Sequence, residues 1–290
     1  MTIDSGWAER YSRQIMLAGI GGNGQRRLGE ARVGIIGSGP AARTVLLYMV
    51  AAGVGVARGE TAPIAGMPEV AHALASNPAC RIEPLRLPED AAHLDLLIDT
   101  GESAIDGNRI ALQWQLPLLG AMPTEDGRIR LAGSRAGANP NLPCMACGAP
   151  PRQTQPAQWN TLALPATGCA LASEAIKTLL AIGDPTLFTA ALLFDPLRAE
   201  YQTLPRTRDP ACPCCATEFI DITIATCPMT FVLVKLKMET MAPGQRLRVR
   251  LNGGEPLTNL PLTLRDEGWP VSPPWTEGDA FGLLVTKLAR

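Results

Sequence analysis

Hydrophobic and polar positions divide the chain into two α/β stretches. Arg32-Val33-Gly34-Ile35-Ile36 is a short apolar run that stops at Gly37-Ser38-Gly39 and leads into an apolar segment, 41–52, closed by Gly53. This predicts a strand, a glycine turn and a helix. Residues 94–99 and 116–122 predict further buried strands separated by a helix over 103–115, the alternation expected of a parallel sheet. A helix predicted over 170–182 stops at Gly183 ahead of Pro185, and 190–194 and 200–204 predict a strand pair. A proline- and cysteine-rich connector, 205–218, follows. Beyond it the pattern restarts. Ile220, Ile222 and Ile224 alternate with Asp221 and Thr223 as a half-buried strand does, and Cys227-Pro228 opens a helix that runs to about Met241. A second alternating strand places Leu247, Val249 and Leu251 on one face and Arg246, Arg248 and Arg250 on the other. A helix near 257–267 and a strand near 281–288 complete the pattern. The expected fold is α/β: a mostly parallel sheet over 1–218, then a small α/β sandwich over 219–290.

Composition narrows the function classes. A chain of 290 residues that is 46% hydrophobic can build two cores. A net charge of −1 with no dense run of Lys or Arg gives no footprint for nucleic acid or an anionic membrane surface, leaving proteins or small molecules as partners. The N-terminal stretch has no apolar signal core, and no stretch reaches the roughly 20 apolar residues a bilayer span needs, so a cytoplasmic protein is expected. There, eight cysteines point to metal ligands or reactive thiols more than to disulfides. Cys144 with Cys147 and Cys212 with Cys215 form two C-x-x-C pairs, which together complete a closed tetrahedral site for a structural Zn2+. The competing reading is four unrelated thiols. Cys214 could replace Cys215 as a ligand, and Cys80 and Cys169 read as buried small hydrophobes. The small residues of Gly37-Ser38-Gly39 let backbone approach a phosphate at a helix N-terminus, although Pro40 removes one amide donor and a plain packing turn fits equally well.

Several segments taken together carry a more specific resemblance. They are Arg10-Tyr11-Ser12-Arg13-Gln14-Ile15, Gly24-Gln25, Gly37-x-Gly39, Ala51-Ala52-Gly53-Val54-Gly55, Asp99-Thr100, Cys144-x-x-Cys147, Glu174-Ala175-Ile176-Lys177 and Arg208-Asp209-Pro210-Ala211-Cys212-Pro213-Cys214-Cys215. Over roughly the first three quarters of its length the chain resembles the ThiF/MoeB/HesA adenylyltransferases. The resemblance implies a Rossmann-like sheet, a homodimer, and adenylation of a ubiquitin-like sulfur-carrier protein's C-terminal glycine with ATP and Mg2+. It also implies that Gly37, Gly39, Arg13 and Asp99 line the nucleotide site, with Arg10 and Arg13 reaching across the dimer. This sequence departs from the family in two places. The family's ribose-holding Asp and the following phosphate-gripping Arg and Lys fall where the chain passes from Gly55-Val56-Ala57-Arg58-Gly59-Glu60 almost directly to Gly66-Met67-Pro68-Glu69. Glu69 then takes the Lys position, where a carboxylate repels ATP. The family's Asp-x-Thr-Asp-Asn reads Asp99-Thr100-Gly101-Glu102-Ser103, which moves the second acidic group for Mg2+ out by one methylene. Relatives that link covalently to their carrier place a cysteine in the crossover before the Glu-Ala-Ile-Lys helix, and the stretch Gln153 to Gly168 has none.

The remainder, with Asp221-Ile222-Thr223, Cys227-Pro228-Met229-Thr230 and Met241-Ala242-Pro243-Gly244, resembles the TusA/SirA sulfur carriers. Pro228 in the first turn would leave Cys227 at the positive end of a helix, where dipole and free amides favour a thiolate able to accept and pass on a sulfane sulfur. Thr230 stands where the family's commonest motif has a second proline. An inert cysteine at a helix start is the plain alternative. Arg246, Arg248 and Arg250 form either a dock for an acidic partner or a solvated strand face. Three functions follow: a sulfur relay through Cys227 in which an eroded adenylyltransferase-like domain docks a carrier protein, an active ATP-dependent adenylyltransferase, or a non-catalytic zinc-stabilised scaffold.

Overall fold

A computed structural model describes residues 5–60, 68–103, 105–135, 139, 141–149, 163–183, 185–209, 212 and 214–288. Gly66 and Met67, the side chain of Glu69, residues 153–162, and Pro210, Ala211 and Pro213 lie outside the described residues. The chain divides into two compact units. One comprises Met1–Gly107, Leu118–Gly133 and Pro150–Pro205, and the other Asn108–Pro117, Ser134–Ala149 and Arg206–Arg290. A boundary at 218/219 falls inside the second unit, which takes in both cysteine pairs.

Helices α1 (Ser5–Arg10), α2 (Ser12–Ile15) and α3 (Gly21–Glu30) lead into β1 (Arg32–Ile36), α4 (Pro40–Ala52), β2 (Val56–Gly59), α5 (Pro68–Ser76), β3 (Arg81–Pro84) and β4 (Leu96–Asp99). Then come α6 (Gly107–Trp114), β5 (Leu118–Pro123), β6 (Ile129–Ser134), α7 (Ala163–Leu180), β7 (Ala190–Asp195) and β8 (Glu200–Pro205). The strands form an 8-stranded sheet in the order β3-β2-β1-β4-β5-β6-β7-β8. β1 runs parallel to β2 and β4, and β7 antiparallel to β6 and β8. Strand order reverses at β1, so the carboxyl ends of β1 and β4 open the crevice where such sheets bind ligands.

The apolar run of β1 packs with Leu46 and Met49 of α4, Ile98 of β4 and Leu171 of α7 in one core. Pro40 sits in the first turn of α4, where its missing N–H costs nothing, and Gly53 ends the helix with φ +86°. Tyr11 and Gln25 are buried here as struts. The Tyr11 hydroxyl donates to Asn77 Oδ1 (2.8 Å), Asn77 Nδ2 to the Val50 carbonyl (2.6 Å) and Gln25 Nε2 to the Ala52 carbonyl (2.9 Å), satisfying carbonyls at the end of α4. Two expected helices change length. α7 is already helical at Ala163, the first described residue of that stretch, well ahead of the expected start near 170. α6 begins only at Gly107 because Ser103 Oγ instead accepts the Ile105 amide (3.1 Å), the local competition that serine offers to helix.

The second unit carries β9 (Glu218–Asp221), α8 (Met229–Glu239), β10 (Arg246–Leu251), α9 (Glu255–Asp266), β11 (Trp275–Glu277) and β12 (Ala280–Thr286). Its 4-stranded sheet has the order β11-β12-β10-β9, with β9 parallel and β12 antiparallel to β10. Leu247, Val249 and Leu251 are fully buried with Val234 and Met238 of α8 and Leu260 and Leu264 of α9.

Two expectations fail in this unit. The isoleucine alternation does not extend the strand to Ile224. The Asp221 carboxylate accepts the Thr223 amide (2.9 Å) and lies 2.7 Å from its hydroxyl, turning the chain and leaving Ile224 97% exposed. The arginine face of β10 is neither solvated nor a free docking surface. Arg246 is only 2% exposed, Arg248 pairs with Glu277, and Arg250 pairs with Asp221 (3.2 Å) and Asp279 (2.7 Å). Among the described residues no helix is long and apolar enough to cross a membrane.

Candidate functional site

The four cysteines of the two C-x-x-C pairs converge inside the second unit. Each pair is closed by a turn: the Cys147 amide donates to the Cys144 carbonyl (3.1 Å) and the Ala216 amide to the Cys212 carbonyl (3.0 Å). Cys144, Cys147, Cys212 and Cys215 are all buried, and their sulfurs lie within 4.8 Å of one another. Cys144 is 3.8 Å from Cys212 and 3.9 Å from Cys147, and Cys147 is 3.4 Å from Cys215. Sulfurs bound at about 2.3 Å around one tetrahedral ion stand about 3.8 Å apart, so this donor set fits a metal such as zinc. Hydrogen bonding from Cys215 draws the Cys144 thiol down to about 5, against the opposing effect of burial, while bonding to that thiolate and then burial push Cys215 upward. Cys215, not the exposed Cys214, faces the cluster.

Three neighbours of this cluster carried no signal in the sequence. Asn108 Nδ2 lies 3.7 Å from Cys144 Sγ while its Oδ1 accepts the Met145 amide (3.0 Å). Arg206 donates to the Cys144 carbonyl and the buried Arg246 to the Cys215 carbonyl, each at 2.6 Å. Of the other cysteines, Cys80 is buried, which pushes its thiol up to about 11. Cys169 is not buried as expected. It lies on an outward position of α7, exposed and within hydrogen-bonding reach of Tyr48.

In the first unit, the sheet reversal brings Gly37 and Gly39 at the end of β1 to Asp99 and Thr100 at the end of β4. Gly37 holds φ +118°, and a Cβ there would strike Thr100 Oγ1 while one on Gly39 would strike the Glu102 carboxylate. Buried Asp99 closes its own turn, its Oδ1 accepting the Gly101 amide at 3.0 Å. Glu102 Oε1 and Oε2 accept the Ala41 and Ala42 amides at 3.3 and 3.1 Å, at the start of α4. The Thr100 hydroxyl lies 2.9 Å from both Glu102 Oε2 and the Ile36 carbonyl. Glu60, just after β2, accepts the Gly37 amide (2.6 Å) and the Ser103 hydroxyl (2.7 Å). Arg13 stands exposed on α2.

In the second unit, Cys227 is exposed immediately before Pro228, which caps α8 from outside the helix, one position earlier than the first-turn placement expected. Cys227 Sγ lies 3.6 Å from the hydroxyl of Thr230, a residue only 1% exposed. Where the expected motif would carry a proline, this chain has a hydroxyl fixed beside the thiol. Thr230→Val, which keeps the shape, is expected to slow iodoacetamide alkylation of Cys227 about three- to tenfold. An unchanged rate would assign the hydroxyl to packing alone.

Residues 218–287 match the family described as sulfurtransferase TusA. The chain is 32% identical over 250 residues, 72% of its length and 91% of the relative's, to a sulfur carrier protein adenylyltransferase of Thermus thermophilus. It is 38% identical over 56 residues to a putative sulfur carrier protein of Archaeoglobus fulgidus, covering 19% of this chain and 64% of that one. Among solved structures it resembles MccB of E. coli, with a TM-score of 0.55 and 14% identity over 75% of this chain and 76% of that one, a likeness of fold. Glycine turn, thiol cluster and relatives agree: the chain belongs to the ThiF/MoeB/HesA adenylyltransferase family and carries a TusA domain over residues 218–287.

Proposed function

We propose that this protein is a cytoplasmic sulfurtransferase in which Cys227 carries sulfane sulfur for the biosynthesis of a sulfur-containing product. The observation that carries this reading is the exposed Cys227 thiol at the start of α8, beside the Thr230 hydroxyl, in the segment that matches TusA. The Cys227 thiolate attacks the terminal sulfur of a donor persulfide. A new S–S bond forms on Cys227, the donor's S–S bond breaks, and the donor sulfur leaves as a thiolate with the bonding pair. A second thiolate, attacking in the same way, removes the sulfur.

The first unit then serves as a homodimeric dock for a ubiquitin-like sulfur-carrier protein, and Zn2+ on Cys144, Cys147, Cys212 and Cys215 holds the two cysteine segments together without an open coordination position. Its nucleotide site, around Gly37, Gly39, Asp99 and Arg13, is read as eroded, with Glu69 and Glu102 replacing groups that grip phosphate and Mg2+. A second reading, active adenylation of the carrier's C-terminus with ATP and Mg2+, draws support from the 32% identical relative, a sulfur carrier protein adenylyltransferase.

Peptide mapping after incubation with polysulfide tests the first reading. Persulfide is expected on the Cys227 peptide, and labelling confined to Cys169 or Cys214 would refute it.

A further inference from the structure

We infer that Glu60 and Glu102 are internal ligands of the anion cradle between β1 and β4 and bar polyphosphates from it. The inference deepens the reading of an eroded nucleotide site and rests on it.

A helix N-terminus at a sheet's reversal point attracts phosphate through two features, its unpaired amides and its positive dipole end. In α4 both are already engaged. Pro40 has no N–H, the Ala41 and Ala42 amides point to Glu102, and the Arg43 amide is already bound within the helix to the Gly39 carbonyl (3.1 Å). The amide of Gly37, at the turn itself, is held by Glu60.

A carboxylate near a helix start is common as a simple cap. Two features set this pair apart. Glu102 comes from the turn after the neighbouring strand β4, not from α4's own flank, so its side chain crosses the crevice and lies on Gly39. A second carboxylate, arriving from β2, repeats the arrangement on Gly37, and each is steadied by a hydroxyl, Ser103 for Glu60 and Thr100 for Glu102. The glycines that would let backbone approach a phosphate here let it approach carboxylates. An entering phosphate must displace these hydrogen bonds from the amides and also face two like charges at short range.

Calorimetric titration of inorganic pyrophosphate, and of ATP with Mg2+, into the full metal-replete chain tests this. Glu102→Ala is expected to raise pyrophosphate affinity at least about tenfold over wild type by releasing two amides and removing a charge. Glu102→Gln removes the charge but keeps one acceptor oxygen, so one of the two amides stays capped and part of the gain is expected from it. Micromolar ATP binding by the wild-type chain would overturn the inference. So would two folded variants that bind pyrophosphate no better than wild type. Neither outcome touches sulfur loading at Cys227, so the relay and the filled cradle can fail separately.

Discussion

Chelating the metal, or replacing Cys147 by serine, is expected to lower the melting temperature of the second unit by more than about 10 °C, the largest stability effect in the molecule. The four thiols sit within one small buried cluster with Leu112 and Ala146, and the Arg206 bond to the Cys144 carbonyl also ties the two cysteine segments, so a metal on the four thiols would be their main clamp. Without an ion, burial opposes the thiolates, and four sulfurs within 4.8 Å of one another repel too strongly to be charged together. Cys214→Ser is the control: its side chain is exposed, and its melting temperature should match wild type. Differential scanning calorimetry with and without chelator decides the matter, and a curve unchanged by complete metal removal would refute a structural metal.

The second large effect concerns Arg246. Four thiolates around a divalent cation form a net dianion, and this buried guanidinium, donating to the Cys215 carbonyl, is a cation placed against it. Burial alone would weaken the charged form of Arg246, and the neighbouring Cys215 and Cys144 charges work in the opposite direction. Arg246→Met keeps the bulk but leaves a buried carbonyl without its donor and the metal centre without its counter-charge. A loss of about 3 kcal/mol in unfolding free energy is expected, with weaker metal retention in a competition assay against a chromogenic chelator. Equal metal retention in the folded variant would reduce Arg246 to a packing residue. Because Arg246 lies on β10 of the TusA sheet, the cysteine cluster and the TusA module should lose stability together.

These two effects also mark what the sequence could and could not convey. The strand, glycine turn and helix over residues 32–53 were legible because each step has a local cause: an apolar run, small residues, an αL stop at Gly53. The convergence of the four cysteines was legible because paired C-x-x-C spacing is what lets thiols share one centre. Arg246, Arg248 and Arg250 show the opposite case. Period-two alternation gives them one face, yet one is buried against the cysteine cluster and two are paired with acids from other segments, none of which periodicity encodes. Ile224 misled because the Asp221 turn overrides an alternation that continues in the residues. Glu60 was passed over because its partner amide, on Gly37, lies across a strand crossover, and Asn108 because it reaches Cys144 from a helix far upstream in the chain.

Cyanide release decides whether Cys227 carries the sulfur. The full chain is loaded with polysulfide, desalted and treated with cyanide, and thiocyanate is counted per chain. One equivalent is predicted for wild type and for Cys169→Ser and Cys214→Ser, with only background from Cys227→Ser. Undiminished thiocyanate from a folded Cys227→Ser variant would rule out Cys227 as the sulfur carrier.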